Sequence, residues 1–433
     1  MKLSPYLKIY PCPEQPGKSL LFSIRRSSVI VVPDQLLEAA RNGALAGSNA
    51  EALARLGFLV DDPDAERLEM RDIFVNANRG RRLFNALVVL NLDCNLACSY
   101  CYEDNFRGSF YMREETADLL VETVLRDQVG KADRIHLTFY GGEPLLSTDH
   151  IRDIARRLGS AAQDKGTTFS FSMITNGTLL TRSLVQELMP LGLIGAKFTL
   201  DGPRDTHDAC RPFASGSGSY DVIIQNLAEV CDLIAIHLGG NFTRENFRFF
   251  PALLDDLLAR GIAPQKLDKV TFTPVLKKAG EKGLGDFQGE CLCSQDAWVI
   301  EASQHLREET LKRGFTATKL KMSGCAVEYE SDLIVNYDGS LYKCPGFMSD
   351  DRLKIGTLSD GIADYRQTHN LDLWKNEECL DCPYLPICFG GCRYMTLTRT
   401  GELQEIDCRK GFYDATLETM IKQDLAARSA KKA

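Results

Sequence analysis

Apolar and polar positions along this chain follow two periods, and their alternation lays out the fold. Short apolar runs at residues 84–92, 135–140, 169–174, 194–200, 234–241 and 269–275 read as strands, and helical patterns separate them. Between the first two runs, Arg113 to Arg126 carries apolar residues at Ala117, Leu120, Val121, Val124 and Leu125, a period near 3.6. Strands alternating with helices predict a parallel sheet with crossovers. Six such units predict an α/β fold, a partial (β/α)6 TIM-like barrel over residues 84–285, with its chemistry at the C-terminal ends of the strands.

Other patterns flank the barrel. Residues 1–80 predict a small α+β lobe with strands at Leu20–Ile24 and Ser28–Val32, a polar turn from Arg25 to Ser27, and two short helices. The second helix is punctuated by Ser48 and Glu51, spaced as a capping box, and by Gly57 as a C-terminal stop before the strand-like Phe58–Leu59–Val60. Residues 286–324 form a connecting insert, and residues 325–433 a cysteine-rich C-terminal domain.

At 433 residues, 44% of them apolar, the chain is long enough for two or three cores. No stretch approaches the roughly 20 apolar residues of a membrane span. The start, MKLSPYLKIYPCPEQPG, lacks the basic-then-apolar pattern of a signal peptide, so a cytoplasmic location is expected. In that compartment fifteen cysteines read as metal ligands rather than disulfides. A net charge of −8 argues against non-specific nucleic-acid binding.

Directly after the first barrel strand stands Cys94-x3-Cys98-x-Tyr100-Cys101. Zinc ribbons and redox dithiols pair their sulfurs as C-x2-C, and a structural zinc site takes four ligands, whereas this spacing offers three. Three thiolates can hold three irons of a 4Fe-4S cluster and leave the fourth open. The segment CNLACSYCYE resembles the cluster loop of the radical S-adenosylmethionine (SAM) enzymes. The resemblance implies that Cys94, Cys98 and Cys101 are catalytic, that SAM chelates the open iron, and that its one-electron cleavage yields a 5'-deoxyadenosyl radical.

The same resemblance assigns a SAM site. Gly141-Gly142-Glu143-Pro144 after the second strand is similar to the family's GGE motif, with glycines for close backbone approach and oxygens for the SAM ammonium. Thr175 and Asn176 after the third strand stand where the family holds the ribose hydroxyls. Thr199-Leu200-Asp201-Gly202-Pro203, followed by His207-Asp208 and Arg211, resembles the pattern of peptide- and protein-modifying members, with Thr199 in place of Ser. Arg211 suits the SAM carboxylate through its bidentate fork, or else clamps Asp201 or Asp208 as a structural ion pair. Asn241 at the end of the fifth strand is a ribose or substrate contact. Tyr100 matches the aromatic position beside the adenine, or packs as an ordinary aromatic.

The last quarter carries Cys325-x18-Cys344 and then Cys379-x2-Cys382-x5-Cys388-x3-Cys392-x15-Cys408. Seven thiols exceed one zinc site, and the run resembles the SPASM extension of radical SAM enzymes. It implies two auxiliary 4Fe-4S clusters, three clusters in all: Cys379, Cys382, Cys388 and Cys408 for the distal one, and Cys325, Cys344 and Cys392 for the proximal one. A hairpin turning at Asp338-Gly339 precedes Cys344. The proximal cluster then has an open iron, or is completed by Cys291 or Cys293, or by an oxygen of Glu328, Glu330 or Asp332. Cys12, Cys210 and Cys231 stand apart.

SPASM members mostly modify peptides or proteins. The expected function is maturation of a ribosomally made precursor peptide by oxidative thioether crosslinking of a cysteine. The runners-up are carbon–carbon or carbon–oxygen crosslinking, epimerisation, and anaerobic sulfatase-type maturation. The last is disfavoured because Pro345 follows Cys344 where sulfatase maturases carry an Asp. A non-enzymatic iron–sulfur or zinc adaptor is the remaining class. Expected partners are the precursor peptide and a flavodoxin or ferredoxin electron donor. The N-terminal opening faintly resembles geopeptide-type maturases. Its lobe is either a winged-helix element gripping a leader peptide as an added strand or a packing cap on the barrel. Oligomeric state is left open.

Overall fold

The structure, a computed structural model, describes residues 1–275 and 296–430. Its centre is a ten-stranded sheet whose first six strands are the barrel: β6 (Leu83–Asn91), β7 (Arg134–Gly141), β8 (Thr168–Ile174), β9 (Leu193–Thr199), β10 (Ala235–Phe242) and β11 (Lys269–Pro274). All five pairings between them are parallel, and each strand lies within two residues of its expected bounds. The numbering starts at β6 because five lobe strands precede it: β1 (Lys2–Leu3), β2 (Leu7–Pro11), β3 (Lys18–Ser23), β4 (Ser28–Pro33) and β5 (Leu59–Val60).

Alternation explains the layering. Ile135, Leu137 and Phe139 of β7, Phe171 and Met173 of β8 and Ala196 and Phe198 of β9 are buried in one cluster with Leu120, Val121 and Val124 of helix Glu114–Asp127. Successive strand residues point to opposite faces, so His136, Thr138, Ser170, Ser172 and Lys197 line the barrel's inside. The outer face is the core, where truncating a residue such as Leu137 to Ala costs about 2–5 kcal/mol. Inside, His136 bridges Ser170 and Ser172 across two strands at 3.0 Å each.

Beyond β6 the sheet continues with β12 (Asp332–Val335), β13 (Ser340–Tyr342), β14 (Gly356–Thr357) and β15 (Gly361–Ile362). β12 pairs parallel to β6, Asp332 opposite Asn85 and Val335 opposite Val88. The expected hairpin joins β12 to β13, with Gly339 at φ 83° where a left-handed residue is needed. The cysteine-rich region is thus built onto the barrel's edge strand.

The lobe differs from expectation in three respects. Its sheet has three antiparallel strands, β2–β3–β4, and β1 pairs with β5. Four helices rather than two precede residue 81: Asp34–Arg41, Gly47–Arg55, Pro63–Arg71 and Ile73–Gly80. Ser48 forms no capping box, because the chain enters that helix through Gly47 at φ 66° with Ala46 as N-cap, which puts Ser48 inside the first turn. Gly57 does end the helix: at φ 79° its N–H reaches Ala54 O, and the next N–H, of Phe58, reaches Leu53 O. One sheet face packs on the lobe's helices through Leu21, Val32, Leu37 and Leu53. The other packs through Leu20, Phe22 and Val31 on Leu417 and Ile421 of the C-terminal helix Lys410–Ala430. Among the described residues no helix is long and apolar enough to cross a membrane.

Candidate active site

The cysteine loop is clamped to the end of β7 by backbone hydrogen bonds. Gly142 N–H donates to Asn91 O at 3.1 Å and Glu143 N–H to Asp93 O at 2.8 Å. The glycines are required by this contact: a Cβ on Gly141 would stand 2.2 Å from Asn91 O, and one on Gly142 2.1 Å from Asp93 O. The close approach expected for SAM is here made by the protein's own loop.

Glu143 is fully buried and braces the ends of β7 and β8. Its carboxylate accepts from Leu145 N–H at 3.0 Å, Thr175 Oγ1 at 2.8 Å and Asn176 N–H at 2.8 Å. Burial still pushes its pKa up to about 7 against the pull of these donors. Pro144 opens the short 3-10 turn Pro144–Ser147, which Glu143 caps. Asn176 Nδ2 donates to Asn95 Oδ1 at 2.8 Å and approaches Cys94 Sγ at 3.8 Å, so it supports the cysteine loop directly.

Tyr100, Asp201, Arg211 and Asn241 meet at one atom, the Tyr100 phenol oxygen. It donates to the buried Asp201 carboxylate and accepts from Arg211 Nη1 at 2.7 Å and Asn241 Nδ2 at 3.0 Å. Asp201 also accepts from Asn241 N–H at 2.6 Å. Arg211 reaches Asp201 only at 4.0 Å, and Asp208 is engaged elsewhere, accepting from Tyr220 N–H. Thr199 ends β9 opposite Gly239. Behind this group, Asp201 N–H donates to His207 Nδ1, leaving the Nε2 proton for Ser219, whose hydroxyl donates to Arg211 O at 2.6 Å. This relay was not legible from the motif. Nor was Cys210, whose carbonyl accepts from Ser99 N–H inside the cysteine loop.

The thiols gather in three sets, judged by which of them feel each other's charge. Cys98 acts on Cys94, Cys101 and also Cys210; Cys325, Cys344 and Cys392 form the second set; Cys379, Cys382, Cys388 and Cys408 form the third. Burial is the largest influence on every shifted thiol, raising Cys94 and Cys379 to about 11. A backbone N–H two residues on opposes it at six positions: Leu96 on Cys94, Glu103 on Cys101, Val327 on Cys325, Gly346 on Cys344, Tyr384 on Cys382 and Gly390 on Cys388.

These donors suit sulfurs held as thiolates by iron. Among the described residues no three His, Cys, Asp or Glu converge on a single ion. All thirteen described cysteines are free. Arg211 Nε is buried without a hydrogen-bond partner, a donor suited to a carboxylate such as that of SAM.

The carboxylates considered as a further proximal ligand have other partners. Glu328 is buried and accepts from Trp374 Nε1 at 3.1 Å and Arg393 Nη2 at 3.2 Å. Asp332 is held by Arg81 at 2.7 Å, and Glu330 is exposed near Arg366. Cys291 and Cys293 lie outside the described residues. Sequence reasoning also passed over Tyr102, whose hydroxyl donates to the Glu103 carboxylate at 3.1 Å and meets the Tyr140 hydroxyl, and whose ring lies against Tyr394, beside the second thiol set.

A parallel barrel with a three-thiol loop after its first strand is the arrangement expected of a radical SAM domain, and residues 88–248 match the Radical SAM superfamily model. That segment is a radical SAM domain. It is 26% identical over 333 residues to the cysteine-type anaerobic sulfatase-maturating enzyme of Clostridium perfringens, covering 69% of this chain and 86% of that protein. Among solved structures it resembles native anSMEcpe with bound AdoMet and Cp18Cys peptide, at TM-score 0.64 and 18% identity over 80% of this chain and 99% of that one. It also resembles Streptococcus suis SuiB bound to precursor peptide SuiA, at TM-score 0.55 and 14% identity over 94% of this chain and 98% of that one. A share of 94% requires most of the first 80 residues, so the second likeness of fold extends into the lobe.

Proposed function

We propose that this chain is a maturase of a ribosomally made precursor peptide and that it closes a thioether from a peptide cysteine. When bound, a 4Fe-4S cluster and SAM supply the electron and the hydrogen-abstracting radical. The chain's part is to hold and orient. Cys94, Cys98 and Cys101 offer the three thiolates; Arg211 Nε offers the donor for the SAM carboxylate; Tyr100, Asp201 and Asn241 fix that guanidinium. Glu143 and Asn176 keep the cysteine loop in register with the strand ends.

The observation that carries the thioether reading is the second thiol set. Cys325, Cys344 and Cys392 are three, Glu328 is taken by Arg393 and Trp374, and among the described residues no fourth ligand joins them. On this reading the fourth position takes a substrate thiolate rather than Cys291 or Cys293, and it lies beside the barrel, since Cys325 and Cys344 share a hydrophobic cluster with Val89 and Tyr140 of the barrel strands. The third set, Cys379, Cys382, Cys388 and Cys408, completes a count of three clusters. A flavodoxin or ferredoxin in the cytoplasm is the proposed electron source. The lobe, residues 1–80, is the proposed leader-binding element, supported by the fold likeness to the peptide-bound SuiB and by the β4 edge, which among the described residues pairs with β3 alone.

A second reading, sulfatase-type maturation, is favoured by the curated relatives and opposed by Pro345, which starts a 3-10 turn where an acidic residue is wanted. Mass spectrometry of a neighbouring-gene precursor coexpressed anaerobically separates the readings. Loss of two hydrogens with one cysteine made resistant to alkylation is the expected result. Conversion of a cysteine to formylglycine would replace it with the sulfatase reading, and an alkylatable cysteine with the same mass loss would indicate a carbon–carbon or carbon–oxygen link.

A further inference from the structure

Three basic side chains stand side by side on the inner wall of the barrel. Lys197 of β9, His237 of β10 and Lys269 of β11 are in register: His237 faces Lys197 on one side and Lys269 on the other. Each alternates with residues buried against the outer helices, namely Ala196 and Phe198, Ile236 and Leu238, and Val270. They therefore share the inner face. All three are half-buried.

Lys197 extends upward along that wall. A methyl placed on Gly239 would stand 2.9 Å from Lys197 Cε and 3.7 Å from Nζ, so the lysine chain lies over this glycine. Gly239 pairs with Thr199 and Thr271. The ammonium thus reaches the level just below Asn241, whose side chain joins the Tyr100–Asp201–Arg211 group.

Such a row is unfavourable by itself. Like charges side by side on neighbouring strands repel, and burial disfavours the charged forms. Burial, then Lys269 and Lys197, push His237 down to about 3, and burial followed by Lys269 lowers Lys197; among the described residues no carboxylate offsets either. His237 Nε2 is buried with no hydrogen-bond partner. Among the described residues no acid pairs with this donor and its two cations on a wall below the SAM-site residues, an arrangement that fits an anion brought from outside.

We propose that Lys197, His237 and Lys269 form a carboxylate-binding floor, so that the peptide entering the barrel presents an acidic group to it. This deepens the peptide reading above and rests on it. The carboxylate comes from an Asp or Glu side chain or from a free C-terminus.

The test uses the full chain, anaerobically reconstituted with iron, sulfide and SAM, and three synthetic probes: acetyl-Gly-Glu-Gly-amide, acetyl-Gly-Gln-Gly-amide, and acetyl-Gly-Gln-Gly with a free carboxylate. Acylation of Lys197 and Lys269 by an amine-reactive ester, followed by peptide mapping, reads occupancy without any turnover. One or both acidic probes should slow acylation severalfold while the neutral amide does not; protection by the Glu amide assigns a side chain, and protection by the free acid alone assigns a C-terminus. Isothermal titration with the Lys197→Gln, Lys269→Gln double variant should lose the preference for the acidic probe at unchanged iron content, and Lys197→Arg should keep it. Equal protection by all three probes, protection by none, or a preference that survives in the double variant would overturn the proposal. Protection seen while no coexpressed precursor is modified would leave the floor standing and remove the maturase reading instead.

Discussion

The phenol of Tyr100 donates a hydrogen bond to the buried carboxylate of Asp201, joining positions 101 residues apart and tying the cysteine loop to the end of the fourth barrel strand. Tyr100→Phe removes one oxygen and leaves three groups short of a partner: Asp201, Arg211 Nη1 and Asn241 Nδ2. Leaving buried polar groups unsatisfied costs about 1–3 kcal/mol. Denaturant unfolding should show a loss of that size, and calorimetric titration should show weaker SAM binding at unchanged iron content. Wild-type affinity in the Phe variant would mean that the phenol plays no part in presenting Arg211.

Gly142→Ala sets a methyl 2.1 Å from Asp93 O, where backbone rather than a flexible side chain is in the way. Overpacking of this kind costs about 1–3 kcal/mol. The strain falls on the cysteine loop, so the variant should reconstitute with less iron than wild type, read by colorimetric assay. Full iron loading would show that the loop can move aside.

Replacing Cys94, Cys98 and Cys101 together by Ala should abolish SAM cleavage, measured by chromatography of the nucleoside product, while iron held by the seven C-terminal thiols remains. Retained cleavage would overturn the assignment of this loop.

Breaking the buried pair of Glu328 and Arg393 should destabilise the C-terminal region. Glu328→Gln leaves Arg393, which is 2% exposed, without its counter-charge, a loss of about 3–5 kcal/mol for buried pairs. Thermal unfolding should show it. A melting temperature within a degree or two of wild type would mean that Gln suffices.

His207 should lower stability on mild acidification. His207, packed against Tyr220 and close to Arg211, is pushed down to about 3 by burial and then by that arginine. The unfolded chain takes up this proton near the ordinary value of 6.5, so the neutral form stabilises the fold above pH 6.5 and the contribution is lost as pH falls from there toward 3. One such group gives a slope of about 1.4 kcal/mol per pH unit inside that window. Buried Glu143, raised to about 7, has the opposite slope between 7 and its ordinary value, so the His207 contribution is read as the difference between wild type and His207→Gln in unfolding free energy at pH 7, 6 and 5; equal slopes in the two proteins would contradict it.

Much of the barrel was legible because each strand is a short apolar run between helical patterns, a signal carried within ten residues or so. The thiol sets were legible for a different reason: few chemistries use Cys at those spacings. What escaped depends on contacts between distant segments. Glu143 reads as a ligand contact in its motif, and only the fold brings Leu145, Thr175 and Asn176 around its carboxylate. Tyr100 was read for its ring, whereas its hydroxyl carries the contacts. The strand Leu7–Pro11 was missed because it ends in proline and shows no clean alternation, and Ser48 looked like a cap because Gly47's left-handed entry has no signature in the spacing.

The pairing of β12 with β6 has a consequence for synthesis. Asn85 and Asp332 are 247 residues apart, yet their side chains are hydrogen-bonded and their strands adjacent. At about 5–20 residues per second, the ribosome needs on the order of 10–50 seconds to supply the strand that covers β6. Through that interval the nascent barrel carries an open, largely apolar edge next to its first three cysteines, and open edges recruit other strands. Yield in cells is therefore set by how well that interval is guarded, and slower translation of residues 92–331 should send more of the chain into aggregates.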